Sequence, residues 1–321
     1  MRVSSLSQNT KYVHWASSIV EVHRTLSPIT MWSMSTPVRP IPPNPTVAFT
    51  TPPNYAGRLS HLLAANGLNP LSSPTLLVEP TPLSISALKP FLPSLDAVFS
   101  AVAFTSRTGI AAISDRDRPL LSASGDGAFT IAALGMDSEL LCDEFLSKFC
   151  ENRNRIRILV PPIATPSGLV RSLGHGRGWR VLCPVPIVVD LEEPPVVPNF
   201  LRELESSRWV PVRVGAYETR WAGLECAKEV TEKIEKGDLA AIVFTSTAEV
   251  EGLLKSLREL GMDWREVKER CPGLVAAAHG PVTAAGAAML GVEVDLVGDK
   301  FDSFNGVVNA LRLRLNSSTC H

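Results

Sequence analysis

The sequence predicts an α/β protein made of two similar units, each with a parallel sheet. The stretch "AVAFTSRTGIAAI" around Phe104 recurs as "AIVFTSTAEVEGLL" around Phe244, and in both an apolar strand pattern ends on Phe-Thr-Ser before a helix pattern. Three further positions correspond in the same order: Gly135 with Gly280, Ser138 with Thr283, and Gly168 with Gly306. These repeats indicate an internal duplication, and strands that alternate with helices indicate parallel sheets with right-handed crossovers.

The chain begins its first unit with "TVAFTTPPNYAGRLSHLLAANG". This stretch predicts a strand over Thr46–Thr50, a turn at Pro52-Pro53, and a helix whose apolar stripe includes Leu59 and Leu63. The next stretch, "PLSSPTLLVEPTPL", is extended between prolines, which is more typical of a linker than of a central strand.

The two repeated units show the same order of elements. In the first, "LDAVFSAVAFTS", "FTIAALG" and "RIRILVPP" predict strands, while "MDSELLCDEFLSKF" and "IATPSGLVRSL" predict helices. In the second, "AAIVFTS", "LVAAAHG" and "VEVDLVGD" predict strands, with "PVTAAGAAML" and "KFDSFNGVVNAL" among the helices. Parallel sheets place ligand sites at the carboxyl ends of their strands, where the Thr-Ser, Gly-Met-Asp-Ser and Gly-Pro-Val-Thr junctions fall.

Composition excludes several classes of function. The 321-residue chain has a formal net charge of −1 and no block of Lys and Arg, which argues against nucleic-acid binding. Its six cysteines form no CxxC pair and have no His at metal-ligand spacing, so we expect reduced thiols and no metal site. The uncharged stretch 273–292 is interrupted by four Gly and by Pro281, so we expect no membrane span.

Residues 1–45 differ from the rest in being rich in Ser, Thr and Pro with Glu21 as their only acid. This composition is typical of an organelle transit peptide, and we expect a plastid location, with the cytoplasm as the alternative. A disordered tail, or a true start at Met31 or Met34, explains the segment equally well.

Four motifs in one order resemble the uroporphyrinogen-III synthase family. They are a strand ending on Phe244-Thr245-Ser246, the stretch Ala277–Thr283, the unit Val294–Leu311, and a tyrosine in Val214–Thr219. Each motif is short, but their order is fairly specific, and the resemblance as a whole covers about residues 46 to 313. The resemblance implies two flavodoxin-like parallel-sheet domains joined by two extended linkers, with one domain discontinuous. It assigns 1–45 to an N-terminal segment, 46–76 and 218–313 to domain 1, 77–217 to domain 2, and 314–321 to a tail.

The resemblance also implies an activity. The family closes the linear tetrapyrrole hydroxymethylbilane to uroporphyrinogen III with inversion of ring D, in tetrapyrrole biosynthesis and without metal or cofactor. A monomer that binds only this small molecule is the implied state. Tyr217 occupies the family's position for the catalytic hydroxyl near the leaving oxygen, and Thr283 that of the family's substrate-binding threonine.

Further substrate-binding residues follow from the eight carboxylates of that substrate. Helix N-termini offer N–H donors to anions, and arginines offer bidentate pairs. The residues expected to hold carboxylates are Thr105, Ser106, Arg107, Ser138, Arg213, Arg220, Thr245, Ser246 and Thr283. Ser and Thr at a helix start also serve as plain caps, and Tyr217 has an alternative as an ordinary interface aromatic.

Acidic residues depart from the family pattern at two places. Asp137 stands at an expected carboxylate seat, and Glu192 and Glu193 lie in a loop where the family is often neutral or positive. Two alternatives therefore stay open beside the synthase. A same-fold enzyme for a less anionic substrate is favoured if these acids line the cleft, and a non-catalytic binding or regulatory protein is favoured if Tyr217 is occluded and the cleft is filled.

Overall fold

A computed structural model describes residues 44–114, 119–124, 127–300 and 303–317. All of them belong to one compact unit, Arg39–His321. Of the segment predicted as transit-like, 1–45, residues 1–43 lie outside the described residues, as do residues 318–321 of the predicted tail, 314–321. Within the described part, no helix is both long and apolar enough to cross a bilayer.

Strands and helices alternate along most of the chain. The first half contains β1 (Thr46–Phe49), α1 (Pro53–Ala65), β2 (Asn69–Ser72), β3 (Leu76–Glu79), α2 (Pro82–Leu88), α3 (Leu95–Val98), β4 (Ala101–Phe104), α4 (Arg107–Ser114), β5 (Phe129–Ala133), a 3-10 helix (Gly135–Leu140), α5 (Asp143–Phe149) and β6 (Ile156–Leu159). The second half contains α6 (Pro166–Leu173), β7 (Arg180–Val189), α7 (Val196–Ser206), β8 (Val210–Trp221), α8 (Lys228–Lys236), β9 (Leu239–Phe244), α9 (Thr247–Glu259), α10 (Trp264–Arg270), β10 (Val275–Ala278), α11 (Pro281–Met289), β11 (Leu296–Val297) and α12 (Asn305–Ser317).

These strands form two sheets. The first has the order β11-β10-β9-β1-β2 and is parallel throughout, and the second has the order β3-β8-β7-β4-β5-β6 and is parallel except for the pair β3–β8. We call the first sheet with its helices the first lobe, and the second sheet with its helices the second lobe. The predicted fold class, α/β with two parallel sheets, is confirmed.

The chain passes between the lobes twice. It leaves the first sheet after β2, builds the second sheet from β3 to β8, and returns to the first sheet with β9. Both crossing points lie at sheet edges or near them, because β2 and β3 are edge strands and β8 is the neighbour of β3. The long strand β8 also runs past residue 217, where the sequence predicts the end of domain 2.

The central strands are apolar because both of their faces are buried. Along β9, Ala241 and Val243 pack on the side of α1 and α12, while Ile242 and Phe244 pack on the side of α8 to α11. Side chains of a strand alternate between the faces of a sheet, so a continuous apolar run fills both layers. This arrangement is the physical basis of the repeated pattern that precedes each Thr-Ser.

One predicted helix is wrong. The stretch from Met136 to Phe149 is predicted as a single helix but forms a 3-10 helix and then, after a break, α5. Gly135 has a left-handed φ of 41°, and the Ser138 hydroxyl donates to the Gly135 carbonyl oxygen at 2.6 Å, which closes a local turn. Cys142 is then extended as the N-cap residue of α5. Local side-chain bonding of this kind competes with a regular helix.

Candidate functional site

The hydroxyl of Tyr217 lies in the buried interior of the second lobe. Tyr217 is 4% exposed, and the Ser106 hydroxyl donates to its oxygen at 2.8 Å. Ser106 is held in turn by the Gly109 backbone N–H, which donates to its oxygen at 3.2 Å in the first turn of α4. Burial raises the pKa of Tyr217 to about 12. Tyr217 is therefore a protonated phenol at neutral pH, and its oxygen is held by Ser106.

Next to this pair, α4 of the second lobe meets α1 of the first. The Tyr55 hydroxyl donates to both carboxylate oxygens of Asp137 at 3.4 Å and accepts from the Arg107 backbone N–H at 3.3 Å. The Arg107 guanidinium carbon lies 5.6 Å from the centre of the Tyr55 ring, within cation–π range. Asn54 donates to the Thr108 hydroxyl at 3.1 Å. We call these five residues the interlobe junction.

The first turn of α1 places Asn54 and Tyr55 in this junction. Pro53 begins the helix, where its missing N–H costs nothing, and Pro52 precedes it in extended conformation. The next two side chains thus project from the carboxyl end of β1 towards the second lobe. Thr51, in the same loop, is 1% exposed, and its hydroxyl has no hydrogen-bond partner among the described residues.

The junction has unusual electrostatics. Burial raises the pKa of Asp137 above its ordinary value, and the charges of Arg107 and Arg58 together with the Tyr55 hydrogen bond oppose this. The pKa of Tyr55 is raised by burial first and by the charge of Asp137 second. The same carboxylate also adds to the raised pKa of Tyr217, so the charge of Asp137 is felt at that phenol. The Asp137 carboxyl and the Tyr55 phenol thus lie between the lobes, and the Tyr217 phenol lies beside them in the interior of the second lobe.

A second polar cluster forms around Glu249 in the first lobe. Its carboxylate accepts from the Thr50 hydroxyl at 2.9 Å, the Thr245 backbone N–H at 2.9 Å, the Thr245 hydroxyl, and the Ser246 hydroxyl at 3.2 Å. Ser246 is the N-cap of α9 and accepts from the Glu249 N–H at 3.3 Å. The Thr283 hydroxyl donates to the Thr245 carbonyl oxygen at 3.2 Å. The structure therefore brings Thr245, Ser246 and Thr283 together.

The segment 50–55, which is the loop after β1 and the first turn of α1, connects the two clusters. Thr50 bonds Glu249 at one end of the segment, and Tyr55 bonds Asp137 at the other. The carboxyl ends of β1, β4, β5 and β9 consequently lead to one region of the molecule, which is where parallel sheets place their ligand sites.

The remaining predicted residues are distributed as follows. Thr105 directly follows β4 beside Ser106, and Ser138 closes its own turn through the Gly135 carbonyl. Arg213 and Arg220 both lie on β8 in exposed ion pairs, with Glu193 and with Glu79 at 2.7 Å respectively. These two arginines are not brought into the junction or into the Glu249 cluster by any contact described above. Their substrate-binding roles, like those of the other predicted residues, stay predictions.

Sequence reasoning missed Tyr55, Asn54 and Glu249. Glu249 has a local signal, because Ser246 followed three residues later by Glu is a capping-box pattern. Tyr55 has no such signal, since its partner Asp137 is 82 residues away in the chain. Only the packing of the lobes brings these two together.

A cavity of about 760 Å³ lies at the other end of the second sheet, where its parallel strands begin. It is lined by residues at the amino ends of β4, β5 and β6, including Trp179 and the ion pair between Arg155 and Asp96. None of the predicted site residues lines it. Some polar groups of the lining already hydrogen-bond each other, because Arg155 donates to Asp96 at 2.7 Å. We place the candidate site instead at the carboxyl ends of the strands, where titratable groups of both lobes meet.

Comparisons with known proteins give one family and one fold. The family model of uroporphyrinogen-III synthase HemD matches residues 57–305. A crystal structure of a mutant uroporphyrinogen III synthase from the extremely thermophilic bacterium Thermus thermophilus is similar with a TM-score of 0.54 at 17% identity, covering 85% of this chain and 99% of that one. The uroporphyrinogen-III synthetase of Helicobacter pylori gives a TM-score of 0.46 at 14% identity, covering 85% and 99%. No curated protein matches the sequence.

Proposed function

This chain belongs to the uroporphyrinogen-III synthase family, and we propose that it catalyses the closure of hydroxymethylbilane to uroporphyrinogen III with inversion of ring D. The observation that carries the proposal is the Ser106–Tyr217 hydrogen bond, where Ser106 follows the carboxyl end of β4. The family model matches most of the described residues of this chain. The shared fold with the Thermus thermophilus enzyme supports it.

In this proposal Tyr217 assists the loss of the substrate's hydroxyl group. The carbon–oxygen bond breaks, its electron pair stays with oxygen, and the oxygen leaves as water after taking up a proton. A phenol with a pKa of about 12 is protonated at neutral pH and can donate a hydrogen bond to that oxygen. Ser106 fixes the phenol because it bonds the phenol oxygen and is itself held by α4.

Substrate entry requires the lobes to separate. Tyr217 is buried, and the junction is held by hydrogen bonds of 3.1 to 3.4 Å and by the Arg107–Tyr55 contact. A second set of polar contacts joins the loop after β7 to α9, where Glu251 accepts from the Glu192 N–H and Lys255 donates to the Asp190 carbonyl oxygen. Such contacts are replaceable by contacts with the carboxylates of the substrate, for which Arg107 of the junction offers a cation. Closure of the lobes around the bilane would exclude water and fold ring D towards its point of attack.

The burial of Tyr217 also favours a second candidate, a non-catalytic binding or regulatory protein of the same fold. A protein in which the lobes never separate would keep this phenol from any substrate. The two candidates differ in one measurable product, because hydroxymethylbilane closes unaided to the symmetric type I isomer.

The test is an isomer assay with purified protein and hydroxymethylbilane. We expect type III product from the wild type, and we expect Tyr217→Phe to lower its rate by about 10²-fold with little change in the unfolding midpoint. Type I product alone, formed at the uncatalysed rate, would reject the synthase and favour the binding protein. An active wild type with an equally active Phe variant would reject the role of Tyr217 only.

A further inference from the structure

Asp137 is an acid at a position where the carboxylates of the proposed substrate are expected to bind. Its side chain lies between the lobes with the Tyr55 hydroxyl at 3.4 Å from both oxygens, and its charge reaches Tyr217. A carboxylate there repels an octacarboxylate and gives no help in holding it. Some other step must gain from the negative charge if the residue contributes to function.

The step that a negative charge would favour is the loss of the hydroxyl group. When the hydroxyl leaves a hydroxymethylpyrrole, the ring nitrogen lone pair delocalises into the vacated carbon, and the ring becomes an azafulvenium cation. A preorganised charge of opposite sign, in a site shielded from water, lowers the energy of the transition state that leads to such an ion. A short series of contacts connects Asp137 to the phenol: Ser106 bonds the Tyr217 oxygen, and the backbone N–H of the next residue, Arg107, donates to the Tyr55 hydroxyl that bonds Asp137.

We propose that Asp137 is a catalytic residue of this chain, whose carboxylate faces the cationic ring formed when the hydroxyl leaves, and that Tyr55 positions it from the first lobe. This inference rests on the proposed function. Tyr217 and Asp137 then act on opposite partners of one bond cleavage. The phenol bonds the departing oxygen, and the carboxylate stabilises the positive charge left behind.

The chemistry balances without a cofactor. The hydroxymethyl carbon loses its bond to oxygen, one proton is taken up by that oxygen, and water departs. The cation then forms a carbon–carbon bond to the substituted carbon of the terminal ring, the bond from that carbon to the methylene of the neighbouring ring breaks, and this methylene bonds to the free α-carbon of the terminal ring, which inverts the ring. The proton taken up is returned when that α-carbon loses its hydrogen as a proton. Asp137 stays ionised throughout and exchanges no atom with the substrate.

The charged groups around Asp137 decide its ionisation. Tyr55 and Arg58 face it from the first lobe, and Arg107 and Tyr217 face it from the second. The two arginines favour the carboxylate, while burial opposes it and raises its pKa. Because the ionised form is the active one, kcat should fall as the pH is lowered through the pKa of Asp137.

Two variants separate the charge from the interlobe contact. Asp137→Asn keeps the shape and an oxygen that accepts from Tyr55, but removes the charge. Tyr55→Phe removes the contact and keeps the charge. As a matched control, Asp143→Asn removes an exposed carboxylate of the same lobe, which pairs only with Arg153 in the contacts described.

The experiment measures type III formation from hydroxymethylbilane against pH for these proteins. For Asp137→Asn we expect kcat to fall by about 10²-fold, the range for one preorganised electrostatic group, with KM unchanged or lower because a repulsive charge is gone. The decline of kcat at low pH should also vanish. For Tyr55→Phe we expect a smaller fall with that decline retained, and for Asp143→Asn no change. Asp137→Glu should recover part of the activity that Asp137→Gln lacks, which keeps the test valid if the Asn variant folds poorly.

The outcomes are distinct. A wild type that forms no type III product overturns the proposed function and this inference with it. An active wild type whose Asp137→Asn variant keeps or exceeds its kcat overturns the inference alone, and Asp137 is then only an interlobe contact. Loss of activity in the Asn and Glu variants alike would also overturn it, because the charge would not be the property that matters.

Discussion

Glu249 joins three segments of the first lobe, and its replacement gives our most direct prediction for stability. The carboxylate is 1% exposed and lies at the start of α9, where it accepts from Thr50 after β1 and from Thr245 and Ser246 after β9. The Thr75 hydroxyl also donates to its carbonyl oxygen at 3.0 Å. Glu249→Ala removes the one acceptor that these segments share.

The expected loss follows from which donors can find new partners. Thr50 can turn to the Val243 carbonyl oxygen, already at 3.3 Å, and the hydroxyls of Thr245 and Ser246 can rotate. The Thr245 backbone N–H cannot move, so it is left without a partner, at a cost of about 1–3 kcal/mol. With the loss of hydrogen bonds to a charged group, we expect Glu249→Ala to lower the free energy of unfolding by about 3 kcal/mol. Glu249→Gln keeps an oxygen for Thr50 and Thr245 and should cost about 1 kcal/mol or less.

The dependence on pH gives a second readout of the same residue. Burial raises the pKa of Glu249 above its ordinary value of 4.5, and the four hydrogen bonds oppose this. A carboxyl whose pKa is raised on folding contributes stability that is fully present below the unfolded pKa and is lost as the pH rises through the folded pKa. The wild type should therefore lose stability relative to Glu249→Gln as the pH rises from 4.5, until Glu249 is fully ionised.

Urea unfolding of the three proteins between about pH 4 and pH 8 measures both effects. The circular dichroism of the helices reports the transition, and the slope with urea must stay the same among the variants for the free energies to be compared. A loss below about 1 kcal/mol for Glu249→Ala would refute the account of the orphaned N–H. A difference between wild type and Gln variant that is flat with pH would refute the raised pKa.

Two further predictions use the same measurement. Gly168→Ala should lower the free energy of unfolding by about 2 kcal/mol, because a Cβ there would meet the Ile163 carbonyl oxygen at 2.2 Å. Gly57→Ala should raise it by about 0.5–1 kcal/mol, because no atom lies within 4 Å of the added Cβ. Equal effects of the two substitutions would contradict this. The hydrogen bonds from Arg155 lower the pKa of Asp96 from 3.8 to about 2, so the stability they give is present above pH 3.8 and is lost as the pH falls towards 2. Arg155→Met should abolish that loss, and a wild-type midpoint that stays constant from about pH 5 to pH 2 would speak against the pair.

Much of the fold is predictable from the sequence because its signals are local. The runs before Thr105 and Thr245 are apolar on both faces and end on cap residues, which is enough to place β4 and β9 and the helices after them. The helix predicted across Met136–Phe149 is wrong because the Ser138 hydroxyl bonds its own backbone. Apolar periodicity does not record such a bond.

The candidate site is predictable only in part. Ser106, Arg107 and Tyr217 come from motifs that follow strands, and the structure does bring them near one another. The contact between Tyr55 and Asp137 depends on how the two lobes pack against each other, and no pattern within either segment records it. Residues that act across such a surface are found from the structure.

The two repeated Phe-Thr-Ser junctions each meet a carboxylate of the chain itself, but the two carboxylates are held differently. In the first lobe Glu249 belongs to the helix that the junction caps, so its bonds persist whenever that helix is folded. In the second lobe Asp137 follows β5, the strand that pairs with β4. It is bonded by the Tyr55 hydroxyl, which belongs to the first lobe. Separation of the lobes removes the Tyr55 bond from Asp137 and leaves the bonds of Glu249 within their own lobe. The duplicated junction therefore has one carboxylate bonded within its own lobe and one bonded across the two lobes, and it is the second to which we assign a role in the proposed reaction.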